Sequence, residues 1–550
     1  MRSRLLGAAI AVLLFSSAPV DAQQPATCTL CGDWEGHIDF GRSLQRIRVN
    51  FRRDSVGAVA GTIDLSNNSG LRPPLIQIRA SRDSVNFAFV GRTDSAFFAS
   101  VRRPDDALVG SFSQAGTNAS FYLVRTIAPD LALNQQYAGS YRLSATRFLD
   151  MGPFSEDGNR IGVYDSGTQR YHVLHATSAR EFFAGPSVGV AYPKQVKVTF
   201  ERDAGGRVTG LRWKDGPVAI RAPKIAPTRS EEIVFRNGEI EMHGTLLAPR
   251  RSRRPGVVVF APGSGPAIRP NGFWPYFLAR NGIATLTFDK RGVGASNGNW
   301  RTASYEDLAN DLVGAVDALR SRTDVDKARI GIWANSESGW TAPIAASRSS
   351  HVKFLIFRSG SALPVRDAVA VESEVKIRDG STMTEDQIAS ALALKLGVED
   401  LALSKDPWEQ VWPRIDSAYA AARGQPWLNA VFQIPKDHWY WSWWRLRGGF
   451  DPGPALSAVR VPVLVLLGDQ DCCMPPAQLN APAYERIFRE SGNTDVSVRI
   501  LPNASHGLMR ASSKFGSQGA RATGYVSGYL DGIAAWLGQH RLLDIPAKRP

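Results

Sequence analysis

The stretch Gly331-Ile332-Trp333-Ala334-Asn335-Ser336-Glu337-Ser338-Gly339 constrains the fold of this chain more than any other. It follows a basic turn, Asp326-Lys327-Ala328-Arg329, and leads into the small-residue run Thr341-Ala342-Pro343-Ile344-Ala345-Ala346. A short apolar strand, a tight turn carrying a serine, and a helix start fit that order. On such a turn the serine hydroxyl projects away from the sheet, towards solvent and a bound molecule. The usual spelling is Gly-x-Ser-x-Gly, because the crowded turn tolerates only small flanks. Here the flanks are Ala334 and Ser338, with Gly339 one place later. A serine between strand and helix is otherwise most often a plain helix cap, so the rest of the chain must decide.

At 550 residues the chain is too long for one compact domain, and its length suggests three or four. The start Met1-Arg2-Ser3-Arg4, an apolar run over residues 5–15 and the ending Ser16-Ser17-Ala18-Pro19-Val20-Asp21-Ala22 read as a signal peptide over 1–22. That run is too short for a permanent membrane anchor, and no later run is longer. The expected location is secreted or periplasmic. Four cysteines fit an oxidising compartment, and Cys28 with Cys31 could close a small loop. No partner pair at metal-ligand spacing accompanies them, so no metal site is expected. Cys472 and Cys473 are adjacent, and their connectivity stays open. The net charge of +14 is spread along the chain, without a basic block interleaved with aromatics. It reads as a solvated surface, and nucleic acid is not an expected partner.

Residues 34–125 alternate apolar and polar in short runs, such as Arg46-Ile47-Arg48-Val49-Asn50-Phe51 and Val85-Asn86-Phe87-Ala88-Phe89-Val90. Period-two alternation with frequent turns predicts a small antiparallel barrel or sandwich over 28–128. A second β-rich domain is expected over 135–224. From residue 229 the pattern changes. Asn237-Gly238 marks a hairpin. The wholly apolar run Val257-Val258-Val259-Phe260 fits a strand buried on both faces. Ser304 with Asp307 opens an amphipathic helix bearing Leu308, Leu312, Val316 and Leu319. Further strands are expected at 284–288, 330–333, 354–357, 463–467 and 496–501. Repeated β-α-β units imply a mostly parallel sheet covered by helices on both faces, over about 229–541.

That rhythm stops at about 362–459. Thr384-Glu385-Asp386-Gln387 is a capping box, and seven of the fourteen tryptophans fall between Trp408 and Trp444. The expectation is a helical, Trp-rich cap roofing the strand ends. Trp441, Trp443 and Trp444 are its candidates for contact with substrate.

Acyl transfer through serine requires a base, an acid to orient it, and paired N–H donors for the oxyanion. Each has a candidate on a loop after an expected strand. Asp469 and Asp471 lie in Gly468-Asp469-Gln470-Asp471, and His506 lies in Pro502-Asn503-Ala504-Ser505-His506-Gly507. His438 falls in the cap and His540 after the last helix, so neither follows a sheet strand. The oxyanion donors are the amides of Ser264, in Pro262-Gly263-Ser264-Gly265, and of Glu337, next to the nucleophile Ser336.

Taken together these residues resemble the α/β-hydrolase superfamily, in its secreted bacterial esterase-like and serine-aminopeptidase-like branch. The resemblance covers about 231–541. It is carried by Pro262-Gly263-Ser264-Gly265-Pro266, by Asp289-Lys290-Arg291-Gly292-Val293-Gly294-Ala295-Ser296, and by Gly468 to Asp471 followed by Pro475. The family's Gly-x-x-Asp motif points to Asp471 over Asp469. Departures are Pro262, where relatives commonly have histidine, and the serine turn without flanking glycines. The resemblance implies an α/β-hydrolase fold preceded by two small all-β domains, a Ser336-His506-Asp471 triad, no cofactor, and a small ester or short peptide as substrate. An intact catalytic set argues against a degenerate hydrolase domain serving only as a binding protein. The oligomeric state stays open.

Overall fold

The computed structural model describes residues 28–543 apart from 42, 66–71, 92–93, 156–157, 380 and 515–520. The expected signal peptide lies outside the described residues. Cys28 and Cys31 form a disulfide, and Cys472 and Cys473 are free thiols. Among the described residues no helix is long and apolar enough to cross a membrane.

Two all-β units come first. Eight antiparallel strands between Gly32 and Thr126 form one barrel-like sheet. Alternation sets its inside: Ile47, Val49 and Phe51 of Leu44–Arg53 are buried while Arg48 is exposed. Phe87 stacks on Phe98 in its core with ring centroids 4.6 Å apart. Eight more strands between Gly139 and Ile225 form a closed barrel. Tyr137 and Phe200 stack inside it at 3.8 Å, beside fully buried Trp213.

The third unit is an eight-stranded sheet. In spatial order its strands are Thr228–Asn237, Ile240–Pro249, Ala284–Phe288, Val257–Ala261, Ile330–Asn335, Leu355–Arg358, Val463–Gln470 and Val496–Ser505. The first two run antiparallel and the remaining six are parallel. The first pair joins through a two-residue turn at Gly238, whose φ of 57° suits glycine. Val257, Val259 and Ala261 pack into a core on one face, and Val258 and Phe260 into a core on the other. That division is why the run has no polar position. Helix Tyr305–Arg320 starts at the Ser304–Asp307 capping box and buries Leu308, Leu312, Val316 and Leu319.

Between Leu355–Arg358 and Val463–Gln470 the chain builds the helical insertion, with helices Val365–Arg378, Glu385–Ala402, Trp408–Ala421 and Trp439–Arg447. The second barrel docks on the other face of the sheet. Its Tyr164 stacks on Phe273 at 5.2 Å, and its Tyr171 lies 5.7 Å from Tyr525. Fully buried Asp150 of the barrel accepts from Arg280 at 2.9 Å and from the Ser140 hydroxyl at 2.6 Å. The first barrel leans on the second, with buried Glu35 paired to Arg160 and His175.

Candidate active site

Ser336 sits between strand Ile330–Asn335 and helix Ser338–Arg348 with φ at 53°. A left-handed backbone costs an L-residue about 1–2 kcal/mol, so its surroundings must hold it there. The Ser336 N–H donates to the Arg358 carbonyl at 3.0 Å, and the Ser336 carbonyl accepts from the Gly339 N–H at 2.8 Å. The Ser338 hydroxyl accepts from the Asn335 N–H at 2.6 Å and lies within reach of the Asn335 and Ala261 carbonyls, at 2.8 and 3.2 Å. A Cβ at Gly339 would fall 2.9 Å from Gly360 Cα, so that position requires glycine. The unusual spelling thus has a physical reading. A buried hydroxyl replaces the second flanking glycine, and the glycine needed for close approach stands one residue later.

His506 occupies the tight turn after Val496–Ser505, and the Ser359 hydroxyl donates to its carbonyl at 2.7 Å. Its Nε2 lies 3.0 Å from Ser336 Oγ, and its Nδ1 lies 2.9 Å from both Asp471 oxygens. With Nδ1–H donated to Asp471, the Nε2 lone pair faces the serine hydroxyl. Burial disfavours the imidazolium, but the Asp471 carboxylate outweighs it and raises His506 above the usual imidazole range. Asp471 is itself fixed, accepting from the Cys473 and Met474 amides at 2.8 and 3.1 Å. Asp469 turns away and accepts from the Ala504 N–H at 3.1 Å. Gly468 lets these loops meet, since a Cβ there would lie 2.2 Å from the Ala504 carbonyl oxygen.

The two rival candidate histidines have different work. His438 caps helix Trp439–Arg447 through the Tyr440 N–H, and His540 contacts the Trp536 carbonyl and Asp495. Asp471, Cys472 and Cys473 bring ligand-type atoms within 4.8 Å of one another. Both Asp471 oxygens already face His506, and the group falls short of the four ligands of a structural zinc.

Ser336 and His506 open on a cavity of about 400 Å³, which Ser264 also lines. Glu337 begins the helix after Ser336, where first-turn amides have no intrahelical acceptor. Phe154, Tyr171 and Val188 of the second barrel wall this cavity, facing Phe260, Trp274 and Met509 of the sheet unit.

The expected role of the cap is corrected here. No cap residue borders the cavity at Ser336 among its described lining. Trp441 and Trp444 are buried, three residues apart on one face of their helix, and their indole N–H groups donate to the Pro435 and Glu399 carbonyls. Trp443 borders a separate cavity of about 460 Å³ inside the cap, with Val369, Phe432 and Tyr440. Trp441 and Trp444 serve the cap's own packing, and none of the three borders the cavity at Ser336.

The cap reaches the site through Arg447 instead. Its guanidinium donates to Glu337 at 2.7 Å, although the two residues lie 110 positions apart. The other Glu337 oxygen accepts from Lys290 Nζ at 2.7 Å, and Lys290 also donates to the Gly263 carbonyl at 2.8 Å. All three side chains are buried, and burial pulls the Lys290 ammonium below its usual range against the opposing pull of Glu337. This network fixes the residue after Ser336 against the loop that carries Ser264. Lys290 stood in the sequence as the variable position of the Asp-x-Arg-Gly-x-Gly-x-Ser turn. No sequence signal pointed to Arg447.

Residues 258–514 match the alpha/beta hydrolase family. The C-terminal half is an alpha/beta hydrolase domain. An uncharacterized 31.7 kDa Escherichia coli protein from the traX-finO intergenic region is 23% identical over 202 residues, 36% of this chain and 65% of that protein. The chain therefore spans less than two thirds of that relative. The thiohydrolase aneE of Aspergillus aculeatus is 38% identical over 78 residues, 14% of this chain and 24% of that protein. Among solved structures, Est1E of Butyrivibrio proteoclasticus with ferulic acid bound aligns at 14% identity and TM-score 0.34, over 56% of this chain and 98% of that one. A Pyrococcus furiosus esterase aligns at 12% identity and TM-score 0.34, over 57% and 90%. The hydrolase domain carries Ser336, Asp471 and His506 just beyond the ends of three of its parallel strands, Ile330–Asn335, Val463–Gln470 and Val496–Ser505, with the second barrel as one wall of its cavity.

Proposed function

We propose that this protein is an exported serine hydrolase that cleaves carboxylic esters through an acyl-enzyme. The observation that carries the reading is the unbroken hydrogen-bonded chain Asp471–His506–Ser336, ending in a cavity with aromatic and aliphatic walls. Ser336 Oγ attacks the ester carbonyl carbon as His506 Nε2 takes its proton. The amides of Ser264 and Glu337 receive the oxyanion of the tetrahedral intermediate. The imidazolium then gives its proton to the departing alcohol oxygen, the C–O bond breaks, and the acyl group remains on Ser336. A water, deprotonated by His506, attacks that acyl group and releases the carboxylic acid, and the proton returns to Ser336. Asp471 stays ionised throughout and holds the imidazole tautomer.

An aminopeptidase binds the free ammonium of its substrate, which calls for carboxylates in the pocket. Among the described lining residues there is no Asp or Glu. That favours ester over N-terminal peptide as substrate. The Cys28–Cys31 disulfide supports an oxidising compartment, in keeping with export.

Two experiments test the reading. A panel of 4-nitrophenyl esters and aminoacyl or dipeptidyl anilides is expected to show turnover of esters above anilides. A fluorophosphonate is expected to label the peptide containing Ser336 by mass spectrometry. Anilide cleavage exceeding ester cleavage would replace the esterase with a peptidase, and labelling elsewhere would discard the site.

A further inference from the structure

Arg358 ends the strand next to that of Ser336, and its side chain lines the same cavity as Ser336 and His506. Its position is fixed by the fold, because its carbonyl accepts the Ser336 N–H at 3.0 Å. Among the described residues no carboxylate pairs with its guanidinium, and its buried Nε has no hydrogen-bond partner. Around it stand the Trp274 ring, 5.9 Å from Cζ, and the hydroxyl side of Tyr529. The described lining of the cavity contains no Asp or Glu, and its one other group that can carry positive charge is His506.

A guanidinium keeps its charge at any pH a folded protein survives. Buried charges are normally paired, because desolvating one without a partner is costly. In the hydrolase domain Arg280 meets Asp150, Arg291 meets Asp311, and Arg447 meets Glu337. Arg358 departs from it in the one cavity that contains the proposed nucleophile. A planar fork of donors beside aromatic walls is suited to a carboxylate.

We propose that the substrates of this site are anionic: esters carrying a carboxylate, on an apolar or aromatic body, that pairs with Arg358 while the ester carbonyl lies at Ser336. The proposal rests on the esterase reading for its reaction and on Arg358 alone for its charge selectivity.

The test uses matched pairs that differ only in charge. One pair places the carboxylate on the acyl side: mono-4-nitrophenyl terephthalate against its methyl ester. The other places it on the leaving group: 4-carboxyphenyl butyrate against its methyl ester. The full-length protein is expected to show kcat/KM at least tenfold higher for the charged member of one pair. In Arg358→Gln that ratio is expected to fall at least tenfold, in Arg358→Glu to invert, and in Arg358→Lys to be partly retained. A wild-type ratio at or below one in both pairs, or a ratio unchanged in Arg358→Gln, overturns the proposal. Binding supplies a readout independent of turnover and of Arg358 variants that fail to fold. Ser336→Ala is titrated with benzoate and with benzamide, followed by tryptophan fluorescence, since Trp274 faces Arg358. Benzoate is expected to bind at least tenfold more tightly, and equal affinities would overturn the proposal. Preference for benzoate in a protein that hydrolyses no ester would sink the esterase reading and leave the anion site standing.

Discussion

Lys290 Nζ lies 2.7 Å from the Glu337 carboxylate, with both side chains buried. Glu337 is the residue after Ser336, and the same ammonium donates to Gly263, the residue before Ser264. One cation therefore spans the two segments whose amides would bind an oxyanion. Removing one member of a buried ion pair strands its partner and costs about 3–5 kcal/mol. Lys290→Met is expected to lose stability in that range by chemical denaturation and to lower kcat more than it raises KM. A variant within about 1 kcal/mol of wild type would mean that Arg447 alone satisfies Glu337.

The left-handed backbone at Ser336 gives a second prediction, in which activity and stability move in opposite directions. Ser336→Ala and Ser336→Gly both lack the proposed nucleophile, and turnover is expected to fall by at least about a thousandfold in each. Glycine meets no Cβ penalty at φ 53°. Ser336→Gly is therefore expected to be more stable than Ser336→Ala by about 1 kcal/mol. Urea melts of the two variants check this, and a glycine variant less stable than the alanine one would contradict it.

The two aspartates of Gly468-Asp469-Gln470-Asp471 are separated by their partners. Asp471 faces His506, whereas Asp469 accepts from a backbone amide. Asp471→Asn is expected to lower kcat by about 10³–10⁴-fold, as expected when the histidine loses its proper tautomer. Asp469→Asn is expected to stay within about tenfold. Steady-state kinetics on one ester ranks them, and the reverse order would move the acid to Asp469.

His506 must be neutral to accept the serine proton, and Asp471 raises its pKa above the usual imidazole value. Activity is therefore present above that raised pKa and is lost as pH falls through it. The acid limb of kcat/KM is expected at a midpoint above the unperturbed value of about 6.5. In Asp471→Asn the residual activity should titrate at lower pH. A wild-type midpoint clearly below about 6 would contradict the assignment of base and acid.

Selectivity is expected to follow the barrel wall and not the cap tryptophans. Tyr171→Ala and Met509→Ala remove cavity lining, so each is expected to change the ratio of kcat/KM for octanoyl and acetyl esters by about tenfold, on the scale of one to three kcal/mol per lost apolar contact. Trp443→Ala lies outside that cavity and is expected to leave the ratio within about twofold. A larger change for Trp443 than for Tyr171 would return the cap to the pocket.

The core of the hydrolase domain was legible because buried parallel strands leave an unmistakable trace. Residues 257–260 and 463–467 read as unbroken apolar runs, and both are fully buried in the central sheet. Ser336 and Asp471 each stand just beyond such a run, whereas His506 follows the alternating, partly exposed strand Val496–Ser505. The choice of Asp471 over Asp469 came from the family's Gly-x-x-Asp spacing, since both follow the same strand. The pocket wall was not legible. Tyr164 and Tyr171 are cross-strand partners in the second barrel, and they pack with the hydrolase domain while Val163 packs inside. Period-two alternation marks such residues only as facing away from their own barrel. What they face depends on docking between units, for which the chain carries no periodic signal. The expected roofing role of the cap was not legible for the same reason: its tryptophans show its apolar content, while Trp441 and Trp444 are buried within it.

The wall contributed by Phe154, Tyr171 and Val188 separates two tasks along one polypeptide. The proposed reacting groups all lie after residue 229, while part of the cavity's shape is encoded before it, at Phe154, Tyr171 and Val188. On the proposed reading, changes in the barrel's outward side chains would redraw the range of accepted substrates without touching a group that moves a proton. A hydrolase domain cut free at its own start would keep every reacting atom and lose its discrimination, so an assay on that fragment would describe a different enzyme.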